Sequence, residues 1–253
     1  MENDSIKLLN EGIAKGLEAN NLTGFEKAFK LSEAMVVLES LLTDDYMKPI
    51  IAMKGSRLGF KTDKDTKGDS YSKEIIKRCL IEAVLMGVQP VGNHFNIIAG
   101  NAYITREGYG YLLSNIQGLS YSIINELPRI ANDKTSAAIE MNIKYTYKGN
   151  SNSVKVPIAL KMDSYTSVDA IIGKATRKAR KWLYEAITGC ETTDGEVQDL
   201  PYELIKTKPE NESNIKNIIE KSKTVSELEI VKDQLATPEL ETLYNEKMFS
   251  LCK

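Results

Sequence analysis

The chain is poor in the residues that carry most enzymatic and metal chemistry. It has one histidine, His94, and three cysteines, Cys79, Cys190 and Cys252, far apart and without a Cys-x-x-Cys pair. An odd count at such spacings argues against a disulfide framework and against a zinc site. No apolar run approaches the roughly 20 residues of a membrane span. The first residues, MENDSIKLLNEG, place acids where a secretory leader has a basic region, so a cytoplasmic protein is expected. No P-loop is present, because the one Gly-Lys pair, Gly173-Lys174, is followed by Ala175. GxGxxG after a strand, GxSxG, HExxH and an EF-hand loop are missing as well. No cofactor, no metal ligand set and no catalytic residue is indicated.

What is present is an uneven charge. The formal net charge of −2 over 253 residues averages three different regions. Residues 1–50 hold 5 basic and 9 acidic side chains, residues 51–190 hold 20 and 12, and residues 191–253 hold 8 and 14. A basic body with a balance of +8 lies between acidic ends of −4 and −6. That asymmetry is a cue for a nucleic-acid partner.

Local patterning predicts an α+β chain: central antiparallel β-hairpins or a sheet packed with helices, plus a small helical C-terminal module. Residues 1–190 read as the main domain, 191–213 as a linker with Pro201 and Pro209, and 214–253 as the module. The first 50 residues are helical by periodicity, and the Gly-, Asp- and Lys-rich stretch that follows reads as a mobile loop carrying Arg57 and Lys61. Ser72 is placed to cap a helix ending near Gly87, and HFNIIAGNAYIT reads as a hairpin turning near Gly100-Asn101. Thr105 is placed to cap REGYGYLLSNI, where two glycines weaken the helix.

The clearest strand signal is SAAIEMNIKYTYK. A turn at GNSNS and the returning strand VKVPIALKM follow, with Pro157 marking a sheet edge or a bulge. Lys144, Lys148, Lys155 and Lys161 are assigned to the polar face of this hairpin. Next comes the strongest helix, TSVDAIIGKATRKARKWLYEAITG, with Thr166 and Asp169 as a capping box and Gly189 as its C-terminal cap. Its apolar stripe runs through Ile171, Ala175, Ala179, Trp182 and Leu183, whereas Lys174, Arg177, Lys178 and Lys181 fall within about 100° on the other side. A solvated helix face is the ordinary reading of such a charge run. Its position directly after a lysine-faced hairpin favours instead one phosphate-binding groove lined by both.

The ordered set EAVLMGVQP, GNAYI, GYGYLL, a long hairpin, GKATRKARKWLYEAITG and an acidic DGEVQD resembles phage single-strand annealing proteins of the RecT/Red-beta superfamily over about residues 30–200. The resemblance implies ATP-independent binding of single-stranded DNA, annealing to a complementary strand, and homo-oligomers in the form of rings or helical filaments. It implies phage or prophage origin, and a phage exonuclease or host single-strand-binding protein as partner, which the C-terminal module is placed to recruit. It also implies DNA in a basic groove between a hairpin and helices, in agreement with the groove drawn from charge. The DNA-binding candidates are therefore Arg57, Lys61, Arg106, Lys144, Lys148, Lys155, Lys161, Lys174, Arg177, Lys178 and Lys181, with Tyr103, Tyr109 and Tyr165 as base-stacking candidates. Two other classes stay open: a metal-dependent nuclease using Asp163, Asp169, Lys174 and Glu185, and an assembly protein whose basic stripe meets acidic termini without DNA.

Overall fold

The computed structural model describes residues 2–65, 68–163, 165–190, 212–222, 224–229 and 237–251. The fold is α+β. Helices α1 (Glu2–Glu18), α2 (Gly24–Leu41) and α3 (Asp44–Ala52) come first, with a 3-10 turn at Ala19–Asn21 between α1 and α2. They pack with α4 (Lys73–Leu85) over a core of Ala34, Leu38, Met47, Ile76, Leu80 and Phe95. A Cβ at Gly16 would run into Leu85 and Ala34, so glycine there lets α1 lie close against α2 and α4.

Against α4 lies a three-stranded sheet of β1 (Lys61–Thr62), β2 (Phe95–Ile98) and β3 (Asn101–Ile104), with β1 parallel to β2 and β2 antiparallel to β3. The hairpin turn is Ala99-Gly100, both at positive φ, one residue earlier than the sequence suggests. The described residues around β1 carry side-chain hydrogen bonds. Asp65 accepts from the Thr62 N–H and hydroxyl at 2.7 and 2.8 Å, and Asp63 accepts from the Tyr71 hydroxyl and the Ala99 N–H. These acids thus organise the loop around the turn of the neighbouring hairpin.

Helix α5 (Arg106–Ser114) starts at Thr105, whose hydroxyl accepts from the Gly108 N–H. Its two glycines have tertiary reasons: a Cβ on Gly108 would collide with the carbonyl of His94, and one on Gly110 would lie 2.7 Å from Nη1 of Arg180.

The second sheet is built on the long hairpin β6 (Ser136–Tyr147) and β7 (Asn150–Lys161), with β4 (Ser120–Asn125) and β5 (Arg129–Ile130) paired to the other edge of β6. The hairpin closes at Lys148-Gly149, again with positive φ at both residues, so Asn150 to Ser153 already belong to β7. Pro157 sits opposite Glu140 in regular register, on a strand that among the described residues pairs only with β6, which is the edge placement its missing N–H requires. Helix α6 (Val168–Thr188) is capped by Ser167, which accepts from Ala170 N–H at 3.2 Å, and not by Thr166. Thr166 instead donates to Asp163 in the preceding turn. Gly189 ends the helix at φ 69°, as expected.

The stretch read as a linker lies outside the described residues from 191 to 211. Helices α7 (Glu212–Lys221), α8 (Val225–Glu229) and α9 (Pro238–Leu251) enclose a small core of Ile215, Ile219, Leu228, Leu240 and Tyr244. Pro238 opens α9, where its missing N–H costs nothing. Among the described residues no helix is long and apolar enough to cross a membrane.

Candidate nucleic-acid interface

Alternation fixes the faces of the long hairpin. Ile139, Met141, Ile143, Ile158 and Leu160 point inward and meet Ile171, Ala175, Ala179 and Leu183 of α6, with Trp182 packed beside them. The space between hairpin and helix is therefore filled by core. Lys144, Lys155 and Lys161 do share the opposite, outer face, as the sequence predicts, with Lys161 at the far end of the hairpin from Lys144. They face away from α6, so the single groove expected between hairpin and helix does not form. Lys148 also departs from the expectation: it occupies the turn, at φ 49°, and leans over the Tyr147 ring.

The basic block of α6 is divided by what packs on it. Arg177 is only 6% exposed. Its Nε donates to the carbonyl of Ile104 at 2.7 Å, and its guanidinium lies over the rings of Tyr103 and Tyr109 at 3.8 and 5.5 Å. A buried guanidinium satisfied by a carbonyl and two aromatic faces ties α6 to β3 and α5. It is not a solvent-facing phosphate ligand, and this corrects the expectation for Arg177. Arg180 likewise donates to the carbonyl of Arg106 at 2.7 Å. Lys178 is half-buried with Nζ on the carbonyl of Ala159 at the β7 edge, and Lys181 is half-buried 3.6 Å from Glu185. Lys174 alone of the five stands exposed.

The aromatic candidates divide in the same way. Tyr109 is 1% exposed and belongs to the core, which removes it as a base-stacking residue. Tyr103 is half-buried with one ring face against Arg177. Tyr165 is 93% exposed, in the turn that Asp163 organises by accepting from Thr166 and from the Tyr165 N–H. Those hydrogen bonds, the Thr166 hydroxyl first, hold the Asp163 carboxyl below its ordinary range, and the charge of Lys174 acts in the same direction. Lys174 and Tyr165 therefore belong to one neighbourhood.

A different basic surface emerges on the open face of the first sheet. Lys61, Asn96 and Tyr103 are direct cross-strand neighbours on the side away from the core, with Thr62, Ile97 and Ala102 turned inward. Strands about 4.8 Å apart put Lys61 roughly 10 Å from Tyr103. One face of the Tyr103 ring is covered by the buried Arg177 guanidinium of α6, the helix that packs on α5. There the Arg106 Nη1 lies 3.7 Å from where a Cβ on Gly173 would stand, next in sequence to Lys174. Arg106 shares its charge with Glu107, at 2.8 Å. Arg57 is exposed on the loop that leads into β1. The periodicity of α6 gave no sign of this strip, because β1 has two residues and its only signal is one exposed lysine beside a buried threonine.

The outer face of the second sheet is a separate patch. Lys155, opposite Asn142 in the row next to Lys144, is 2.6 Å from Glu140 and 3.6 Å from Glu126, which neutralise it. Toward the hairpin turn a shallow concavity of about 500 Å³ holds Lys144 among hydroxyls, with Ser122, Lys144 and Ser153 in one cross-strand row and Ser120, Thr146 and Ser151 in the next.

Among the described residues no three His, Cys, Asp or Glu side chains come together as a metal site needs. Asp169 and Glu185 stand at opposite ends of α6, about 24 Å apart at 1.5 Å per residue. Cys79 is buried, its thiol pushed up to about 11 by desolvation, with Sγ 3.4 Å from the carbonyl of Gly100. No family model, no curated protein and no solved structure matches this chain.

Proposed function

We propose that this protein binds single-stranded DNA through its phosphate backbone, without ATP, and anneals it to a complementary strand as a homo-oligomer. In this reading it is a phage or prophage product at work in the bacterial cytoplasm, and its C-terminal module recruits a phage exonuclease or a host single-strand-binding protein. The observation that carries the proposal is the cross-strand row Lys61–Asn96–Tyr103, with Arg106 exposed at the start of the helix that follows β3 and Lys174 exposed on α6. It combines cations that grip phosphates with an aromatic edge and offers little to read base identity, which suits binding that ignores sequence. Lys144 in its hydroxyl-rich concavity supports the same reading on the other sheet. The reaction needs no bond-breaking group: holding two strands at high local concentration accelerates pairing by proximity.

The test is annealing of two complementary dye-labelled oligonucleotides, without nucleotide, at low and moderate salt. Acceleration that weakens as salt rises is the expected result, because phosphate contacts release counterions. No binding at low salt would overturn the proposal.

A further inference from the structure

We infer that the concavity around Lys144 on the second sheet binds a phosphomonoester, and that the group it meets is the phosphorylated end of a DNA strand. The strand end rests on the preceding proposal; the phosphate site does not. Ser122, Lys144 and Ser153 form one cross-strand row, on strands about 4.8 Å apart, and all three are exposed. In the next row toward the turn the hydroxyls of Thr146 and Ser151 lie 2.8 Å apart. One of that pair donates to the other, which leaves the second free to donate outward. The lining contains no carboxylate, and Lys144 is its one charged side chain. Hydroxyls around a single ammonium offer donors to an oxyanion. A phosphomonoester brings three terminal oxygens and up to two charges, and the row Ser122–Lys144–Ser153 sets three donors side by side for them.

The charges along the sheet favour the end of a strand over its middle. Away from the turn, Glu140 follows Lys144 by four residues of β6, about 13 Å at 3.3 Å per residue. Glu126 lies beside it, its N–H donating to the Glu140 carbonyl at 2.9 Å. Lys155 stands 2.6 and 3.6 Å from these two carboxylates. Its hydrogen bond and charge hold the Glu140 carboxyl below the ordinary range, and Arg129 acts in the same direction. A phosphate on that side would have to displace carboxylates already in place. Toward the turn, residues 144–153 include no acid, and Lys148 stands exposed at the tip. A strand can therefore arrive over the tip and stop with its last phosphate at Lys144. An internal diester has one charge fewer, and its chain would have to continue over Glu126 and Glu140.

The phosphate site is tested with inorganic phosphate and the full chain, followed through amide resonances by NMR. Saturable shifts centred on Ser122, Lys144 and Ser153, lost in Lys144→Ala, are expected. Shifts that do not saturate, or that survive Lys144→Ala, would overturn the site. Its source of phosphate is tested with internally dye-labelled oligonucleotides of one sequence, carrying a 5′-phosphate, a 3′-phosphate or hydroxyls at both ends. One phosphorylated end is expected to bind about tenfold tighter than the hydroxyl-ended strand, as one charge-assisted hydrogen bond provides. Lys144→Ala and, separately, Ser122→Ala/Ser153→Ala should bring that ratio close to one. These positions are exposed, so circular dichroism should not change. Equal binding of all three oligonucleotides to the wild type, or a ratio that Lys144→Ala leaves intact, would remove the strand end. If no oligonucleotide binds at low salt while inorganic phosphate still titrates, the DNA reading fails and the phosphate site stands.

Discussion

The guanidinium of Arg177 lies 3.8 Å from the centre of the Tyr103 ring while its Nε donates to the carbonyl of Ile104. That pairing joins α6, which otherwise belongs to the second sheet, to β3 of the first. It divides the basic block of α6 into residues that hold the fold together and residues that face a partner.

Arg177→Ala removes a charge-assisted hydrogen bond worth about 1.5–3 kcal/mol and a desolvated cation–π contact of about 2 kcal/mol. Allowing for overlap between the two, urea denaturation is expected to show a loss of about 3 kcal/mol. Arg177→Lys should recover little of it, because an ammonium lacks the planar fork that bonds Ile104 while covering Tyr103. A loss under about 0.5 kcal/mol, the range of ordinary surface changes, would contradict the interior role.

Lys174→Ala and Lys61→Ala should behave oppositely. Both side chains are exposed, so stability should move by no more than about 0.5 kcal/mol. Single-strand affinity should fall alike for all sequences, and the salt slope should shrink by about 1 for each phosphate that is no longer neutralised. Lys155→Ala is the control, since Glu140 and Glu126 already neutralise that charge. Fluorescence titrations at three salt concentrations measure all three.

Tyr165→Ala and Tyr109→Ala separate stacking from packing. Loss of the exposed Tyr165 ring should cost single-strand binding about 1–3 kcal/mol with no change in unfolding, if a base stacks there. Loss of the buried Tyr109 ring should destabilise the fold by about 3–5 kcal/mol, the range for large aromatic truncations. Equal effects of the two on unfolding would be inconsistent with their burial.

Gly108→Ala opposes helix propensity to packing. Propensity alone would give a gain of about 1 kcal/mol in α5. The added methyl meets the carbonyl of His94, a backbone group that cannot step aside, and overpacking costs about 1–3 kcal/mol. The net expectation is a lower thermal midpoint.

His94 supplies the pH dependence near neutrality. Burial holds its imidazole below the ordinary value of 6.5, against the opposing charge of Glu107. Its ring stacks on Tyr111 at 4.7 Å, and Nδ1 lies 3.4 Å from the Gln89 N–H, an arrangement suited to the neutral form. The folded state therefore binds this proton less readily than the unfolded chain. The resulting stability is complete above about pH 6.5 and is lost as pH falls toward the folded value. As the only histidine, its proton resonances report that value directly, and a midpoint at or above 6.5 would reverse the sign.

Several elements were legible because their signals are local. Ser72, Thr105 and Gly189 cap helices where the sequence puts them, and the alternation from Ile139 to Tyr145 gives both faces of β6. The strands β1, β4 and β5 were not legible. Two have only two residues, and all depend on a neighbour for their register. Lys144, Lys155 and Lys161 share the hairpin face that the alternation assigns them, whereas Lys148 lies in the turn and the relation of that face to the basic side of α6 was not legible.

The amino-acid sequence by itself determined the α+β class, the amphipathic helix at 168–188, the long hairpin and the concentration of positive charge in the middle of the chain. Periodicity states which residues share a side of a helix, because backbone geometry repeats every 3.6 residues. It does not state how many sides will be covered. Only the tertiary structure decided that α6 is packed on two sides, by the second sheet along its apolar stripe and by β3 and α5 over Arg177 and Arg180. The physical reason is that an arginine can be buried when a carbonyl and aromatic faces replace its water, and those partners lie about 70 residues away in the chain.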